Sequence, residues 1–402
     1  MSISPACSRE IALSEEVPQA LMLDATEVQV VDRPEAIRPL WLDLEADGLC
    51  LPFQRYGWAR QWCEVLAPSL RAKPCVALVT RGRAPLLLLP LCIVQRGPVR
   101  SLEFMDGGVN DYNAPVLSRL ARQLDAGSTA VLLRRILHSL PQHDCVQLRR
   151  MPLVVGGVPN PLLLPSPHLR PEEETGHRVV LSSFQEGARS LLKEAAKKRR
   201  RLERTRRVEL VVDCNTSAAF DALVSWKRRQ FPGGALESET TVNFYRSVLH
   251  QGGVASLFGL CVDGTVVAAQ YAALSGRTCI GLITGYDPAW QEFSPGKLLT
   301  SLLLEHLHKE GYLVFDAGRG AEAYKADYGG EWQSLFRYRR AVRPAGLAYL
   351  ATYYAARWAN SCYTAHGRPV RRKPHPGKAS PQRGLRVPPG SATPPGDNQI
   401  PK

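Results

Sequence analysis

Two stretches of this 402-residue chain gather residue types that can do chemistry. The first reads Tyr286-Asp287-Pro288, then Phe293-Ser294-Pro295-Gly296-Lys297, and leads into Leu298, Leu299, Leu302, Leu303 and Leu307 at helical spacing. A helix N-terminus presents free backbone amides and a partial positive charge, and a Pro-Gly entry lets a diphosphate approach them closely. An ordinary helix start reads the same way, because Pro and Gly are common there. The second stretch is Phe315-Asp316-Ala317-Gly318-Arg319-Gly320, followed by Glu322, Tyr324, Lys325, Tyr328 and Trp332. It begins at a strand end, where α/β sheets place ligands. There Asp316 or Glu322 can take a proton from an attacking amine or hydroxyl, and Tyr324 can return one to a leaving thiolate. Lys325 can polarise a thioester carbonyl or grip a phosphate. The plainer alternative is that Asp316 caps a turn and Tyr324 packs.

The elements that must position these residues follow from periodicity and turn chemistry. A meander is expected at 254–262, 266–274 and 278–286, with turns at Asp263-Gly264 and Ser275-Gly276-Arg277. A helix over 296–310 and a strand over 313–316 follow it. Upstream, a strand at 178–181 leads into a basic helix, a strand at 208–213 and helices near 218–230 and 242–251. The first part of the chain repeats this outline. It has a strand at 28–31, helices at 34–46 and 56–66, and a hairpin of 74–80 with 85–94 about Arg81-Gly82-Arg83. A Gly/Asn-rich loop at 105–115, a helix near 128–140 and a strand at 145–149 complete it. Six prolines in 152–175 suit a crossing between halves. Alternating strands and helices imply a mixed α/β (α+β) sheet, and the length implies two domains.

Composition narrows the function classes. With 45% hydrophobic and 22% charged residues the chain reads as globular, and no apolar run reaches the roughly 18 residues of a membrane span. The N-terminus lacks a secretory signal pattern, so a cytoplasmic location is expected. Ten cysteines are scattered without a C-x-x-C pair, which argues against a metal site or a disulfide framework; Cys75, Cys92, Cys261 and Cys279 read as small buried hydrophobes. The formal charge of +14 is concentrated in two places: residues 189–207 carry net +8 and residues 366–402 net +7. The basic run at 189–207 has helical spacing and reads as a solvated face, a donor-binding arm, or a contact for anionic membrane or nucleic acid. The Pro/Gly-rich tail has too few apolar residues to fold and is expected to be disordered.

The run Tyr-Asp-Pro, Ser-Pro-Gly, Phe-Asp, Gly and Tyr-Lys resembles the C-terminal half of CelD-like acyltransferases of the GNAT superfamily, which are linked to cellulose and exopolysaccharide synthesis. The likeness extends to Pro52-Phe53-Gln54 with Trp58 and Trp62, to Pro90-Leu91, and to Asn110-Asp111-Tyr112 with Pro115. The usual GNAT phosphate motif, Gln/Arg-x-x-Gly-x-Gly/Ala, is replaced by Ser294-Pro295-Gly296. The resemblance implies two tandem GNAT-like domains with the acyl-donor site in the second: a flexible N-terminus at 1–23, halves at 24–165 and 166–345, a C-terminal helix at 346–365 and the tail at 366–402. It implies acyl-CoA, most simply acetyl-CoA, as co-substrate and no metal. Tyr286, Ser294, Pro295, Gly296, Lys297 and Gly318 would hold the donor, and Asp316, Glu322, Tyr324 and Lys325 would do the catalysis. The implied acceptor is a saccharide or cell-envelope precursor, with loose contact to the inner membrane or a synthase through the basic arm and tail. The first half would be structural or help bind acceptor, with Asp111 and Tyr112 as its residues of interest. Tyr324-Lys325-Ala326-Asp327-Tyr328-Gly329 also resembles an element of Fem peptidyltransferases, which implies aminoacyl-tRNA as the alternative donor. A third reading is a non-catalytic accessory of an exopolysaccharide synthase.

Overall fold

The computed structural model describes residues 25–47 and 49–366, with side chains up to residue 356. The N-terminal segment expected to be flexible and the tail beyond residue 366 lie outside the described residues. Everything below belongs to one compact unit that ends at residue 355.

Eleven strands form one mixed sheet. Its order from one edge is Val208–Val211, Ala255–Val262, Thr265–Ser275, Thr278–Tyr286, Val314–Arg319, Leu169–Val180, Glu331–Ala341, Cys145–Pro152, Val99–Phe104, Leu91–Arg96 and Ala72–Pro74. The arrangement repeats itself about the middle. In the second half the hairpin of Thr265–Ser275 and Thr278–Tyr286 is followed by the helix Pro295–Lys309 and by Val314–Arg319, which runs parallel to Thr278–Tyr286. In the first half Leu91–Arg96 and Val99–Phe104 are followed by the helix Ala126–Ser139 and by Cys145–Pro152, parallel to Val99–Phe104. The closing strand Glu331–Ala341 pairs with Leu169–Val180 on one side and Cys145–Pro152 on the other, which makes the sheet continuous across the halves.

Three expected strands differ from those observed, the first being 74–80, which is divided between Ala72–Pro74 in the large sheet and Val76–Arg81 in a small one. The stretch expected as one strand over 85–94 is divided at Pro90: Ala84–Leu89 belongs to a separate four-stranded sheet, while Leu91–Arg96 joins the large one. Proline has no N–H for a ladder, so the chain changes sheets there. The strand expected to begin at 178 instead begins at Leu169 and contains Pro171 and three glutamates. Glu172 is held there by Arg337 at 3.1 Å from the neighbouring strand Glu331–Ala341 and by Arg149 at 3.2 Å from Cys145–Pro152 beyond it, so a charge that argues against a strand in sequence is paired within the sheet.

Helices cover both faces of the second half, each with its own apolar cluster. Ser217–Gln230 and Glu239–Gln251 begin at Thr216 and Ser238, whose hydroxyls accept from first-turn amides. Their Phe220, Leu223 and Phe244 share a core with Trp58 and Trp62 of the first half. On the opposite face Leu298, Leu299, Leu303 and Leu307 pack against Leu191, Ala195 and Phe315. Each fully buried leucine contributes on the order of 2 kcal/mol, enough for these leucines to fix how the helix lies on the sheet. Cys75, Cys92, Cys261 and Cys279 are buried, as expected of small hydrophobes. No helix among the described residues is long and apolar enough to cross a membrane.

Candidate functional site

The parallel strands Thr278–Tyr286 and Val314–Arg319 pair only from Thr278↔Val314 to Ile280↔Asp316. Beyond that point each follows its outer neighbour. Thr278–Tyr286 stays paired with Thr265–Ser275 as far as Tyr286, and Val314–Arg319 stays paired with Leu169–Val180 as far as Arg319. Both outer pairings carry register shifts, between Tyr271 and Ala272 and between Gly176 and Arg178, and such bulges bend a strand. A wedge opens between Gly281 and Ala317, within a cleft of about 860 Å³. Gly318 has φ +75°, and a Cβ there would fall 2.9 Å from the Gly281 carbonyl and 2.5 Å from Asp111 Oδ2. Only glycine fits where this wedge closes.

At one end of the cleft stand Tyr286, Ser294, Gly296 and Lys297. Ser294 is the N-cap of Pro295–Lys309, yet it adopts a left-handed conformation and its hydroxyl makes no capping bond. The hydroxyl is taken by Lys198 Nζ from the basic helix Arg189–Glu203. The first-turn amides of Gly296 and Lys297 therefore have no side-chain cap, and both residues line the cleft with Lys198 bonded to the turn beside them. Lys297 bonds Asp327 at 3.0 Å and Glu194 at 3.2 Å, and Glu194 also holds Lys198 at 3.2 Å. The basic helix is thus more than a solvated face: it packs against the turn through Lys198 and Glu194. Pro295 is buried and shapes the turn from beneath. The arrangement can hold an anion.

The other group of residues centres on Asp316, which is buried. Its carboxyl accepts from Tyr112 Oη at 2.6 Å, Gly318 N at 2.7 Å and Gln333 Nε2 at 2.9 Å. Burial pushes its pKa up to about 7, against the opposing pull of the hydrogen bonds from Tyr112 and Gly318. Tyr112 comes from the first half, on the loop between Phe104 and Val116. That loop is held by Trp58 Nε1 on Asn110 at 2.8 Å, by Asn110 on Asn113 at 2.8 Å and by Arg150 on the Asn110 carbonyl at 2.6 Å. Its Asp111 lines the cleft, accepts from the Arg319 amide at 3.0 Å, and has its pKa raised by burial against the pull of Arg319. Gly176 leaves the room that Tyr112 Oη needs, since a Cβ there would come within 2.3 Å of it. The first half thus contributes two side chains to a site on the second.

The remaining candidates divide by access. Glu322 and Tyr324 line the cleft and are about half exposed. Burial of its hydroxyl raises the Tyr324 pKa, which keeps it protonated at neutral pH. Lys325 is almost fully buried, and Nζ donates to the carbonyls of Gly318 at 3.1 Å, Arg319 at 2.8 Å and Gly320 at 3.1 Å, with Glu322 at 3.0 Å. All three protons are engaged, so Lys325 fastens the turn after Asp316 and orients Glu322; it has none left to polarise a carbonyl or grip a phosphate. Lys325→Met is expected to lower stability by about 3 kcal/mol in equilibrium urea unfolding, because the buried carbonyls lose their donors. An unchanged midpoint would contradict this role.

The sequence singled out Asp316, Glu322, Tyr324, Lys325, Tyr286, Ser294, Pro295, Gly296, Lys297 and Gly318; the structure lines one cleft with seven of them, while Asp316, Pro295 and Gly318 stand next to lining residues and not in the lining itself. It missed Lys198 and Gln333 and gave Arg319 no role, because their partners are remote in sequence; only helical spacing within 189–207 hinted at Lys198. Among the described residues no group of His, Cys, Asp and Glu could hold a metal ion.

Residues 189–326 match the family model of the acetyltransferase (GNAT) domain. Among solved structures the chain is similar to FemX, with 10% identity, a TM-score of 0.51, and coverage of 78% of this chain and 97% of that one. It is also similar to L-PGS from Bacillus licheniformis, with 12% identity, TM-score 0.48 and coverage of 81% and 97%. A tandem GNAT protein from the clavulanic acid biosynthesis pathway matches with 11% identity, TM-score 0.42 and coverage of 79% and 99%. At these identities the likeness to FemX shows a shared fold. No curated protein matches the chain by sequence.

Proposed function

We propose, starting from a GNAT domain that contains the wedge, that the protein transfers an acyl group from acyl-CoA, most simply acetyl-CoA, to an amine or hydroxyl of a saccharide or cell-envelope precursor. The observation that carries this reading is the pairing of parted strands with an uncapped helix N-terminus in one cleft. The donor's diphosphate would rest on the amides of Gly296 and Lys297, with Lys198 beside them, and its extended arm would enter the wedge toward Gly281 and Gly318. The acceptor nitrogen or oxygen attacks the thioester carbon, the carbon–sulfur bond breaks, and no covalent enzyme intermediate forms. Glu322 takes the proton of the attacking group and Tyr324 gives one to the departing thiolate. Asp316, enclosed by Tyr112, Gly318 and Gln333, acts as a positioning residue in this scheme, as does Lys325. The saccharide acceptor rests on the CelD-like resemblance, as does loose attachment to the inner membrane surface or a polysaccharide synthase through the basic helix and tail. Aminoacyl-tRNA is the second donor to test, favoured by the exposed cations of Arg189–Glu203.

Gly296→Val tests the donor site. A Cβ at this position meets nothing closer than Tyr286 at 3.6 Å, so the fold survives while the side chain covers the amides. CoA affinity measured by calorimetry is expected to fall about tenfold or more, equivalent to roughly 1.4 kcal/mol. Equal affinity for variant and native protein, or tRNA retarded in gels by a chain that ignores CoA, would remove acyl-CoA as the donor.

A further inference from the structure

Five cationic side chains line the cleft, and four have a carboxylate partner. Arg228 pairs with Glu239 at 2.6 Å, Lys297 with Asp327 at 3.0 Å, Arg319 with Glu174 at 2.6 Å and Lys325 with Glu322 at 3.0 Å. Lys227 is the exception: among the described residues no carboxylate lies within 4.0 Å of its Nζ. It is half-buried in the last turn of Ser217–Gln230. Its Nζ donates to the Thr284 carbonyl at 3.2 Å and lies 4.3 Å from the centre of the Phe231 ring. An ammonium has three donors, and these contacts leave at least one without a hydrogen-bond acceptor.

The place of Lys227 says which substrate it serves. Its helix packs on the face of the sheet that carries Phe220 and Leu223, whereas the Ser294–Lys297 turn opens the helix on the opposite face. A donor whose diphosphate lies against Gly296 leaves Lys227 to whatever enters from the other side. Glu322 is the carboxylate whose charge acts on Lys227, but it is bound to Lys325 and shares that charge with it. Burial, with Lys325 nearby, outweighs the pull of Glu322 and takes the Lys227 pKa below the ordinary lysine value. A half-buried cation short of counter-charge favours a ligand that supplies one.

We propose that Lys227 holds an anionic group of the acceptor, so that the second substrate is a phosphate- or carboxylate-bearing molecule and not a neutral one. This rests on the assignment of the donor to the opposite face, and the two can fail separately. The test follows inorganic phosphate by phosphorus NMR and labelled acetate by carbon NMR, each titrated into protein already saturated with CoA. CoA affinity is measured alongside. At least one anion is expected to bind saturably with CoA in place, with affinity reduced at least tenfold in Lys227→Met and kept in Lys227→Arg; the anion that binds tells phosphate from carboxylate. Native CoA affinity in both variants shows that they are folded and that the donor reading stands on its own. The proposal is overturned if neither anion binds, if Lys227→Met binds them as the native protein does, or if CoA displaces them, which would assign Lys227 to the donor's own phosphates. If native protein fails to bind CoA while anions still depend on Lys227, the donor reading falls and the anion site remains.

Discussion

Gly318→Val is expected to cost at least about 4 kcal/mol of stability and to abolish CoA binding, the largest effect of any single substitution in the cleft. Three effects add. At φ +75° a side chain strains the backbone, and a β-branched one most of all. The new Cβ would also lie 2.9 Å from a backbone carbonyl across the wedge and 2.5 Å from Asp111, and the carbonyl belongs to a paired strand and has little room to retreat. Relief by moving the turn would withdraw the Gly318 N–H from Asp316. Gly82→Ala provides the control. Its φ is +58° but nothing lies within 4 Å, so it should lose only about 1 kcal/mol. Thermal unfolding of both variants decides the matter. If they lose the same amount, close approach at the wedge contributes nothing.

Asp316→Asn should change how stability depends on pH. The native carboxyl has a pKa near 7 when folded and about 3.9 when unfolded. Between those values the folded state holds more protons, so the contribution of Asp316 is complete below about pH 4 and disappears as pH rises through 7. From pH 5 to pH 8 the native protein should therefore lose about 2.5 kcal/mol through this residue. Asparagine resembles the protonated acid and does not titrate. Relative to the native protein, the variant should be more favourable at pH 8 than at pH 5 by about that amount in urea titrations. Parallel curves for the two proteins would mean that Asp316 does not carry the proton.

Local chemistry accounts for what the sequence made legible. The meander could be read because its turns use Asp263-Gly264 and Gly276, which take the positive φ values those turns need. The helices after Thr216 and Ser238 could be read from their caps and apolar spacing. Leu169–Val180 could not, because Pro171 and Glu172 look like loop until the two strands beside them bring Arg337 and Arg149 to the carboxylate. The same holds at the site. Gly296 and Asp316 lie in recognisable local patterns, whereas the bond from Tyr112 to Asp316 spans 204 positions and has no local signature. The role of Lys325 was misjudged for a related reason: its three carbonyl acceptors come from its own turn, whose path depends on Gly318 and Gly320. An exposed-looking Tyr-Lys pair gives no hint of that enclosure.

The closing strand Glu331–Ala341 has a consequence for biosynthesis. Cys145–Pro152 obtains its outer hydrogen-bonding neighbour only from residues made nearly two hundred positions later. While the chain is still emerging from the ribosome, the early half must wait with one ladder of amides and carbonyls unmatched, next to the apolar side chains of Val146 and Met151. Translation pauses or truncations before residue 341 would leave that border open to neighbouring nascent chains, so soluble yield should depend on reaching the end of the strand more than on any residue in the cleft.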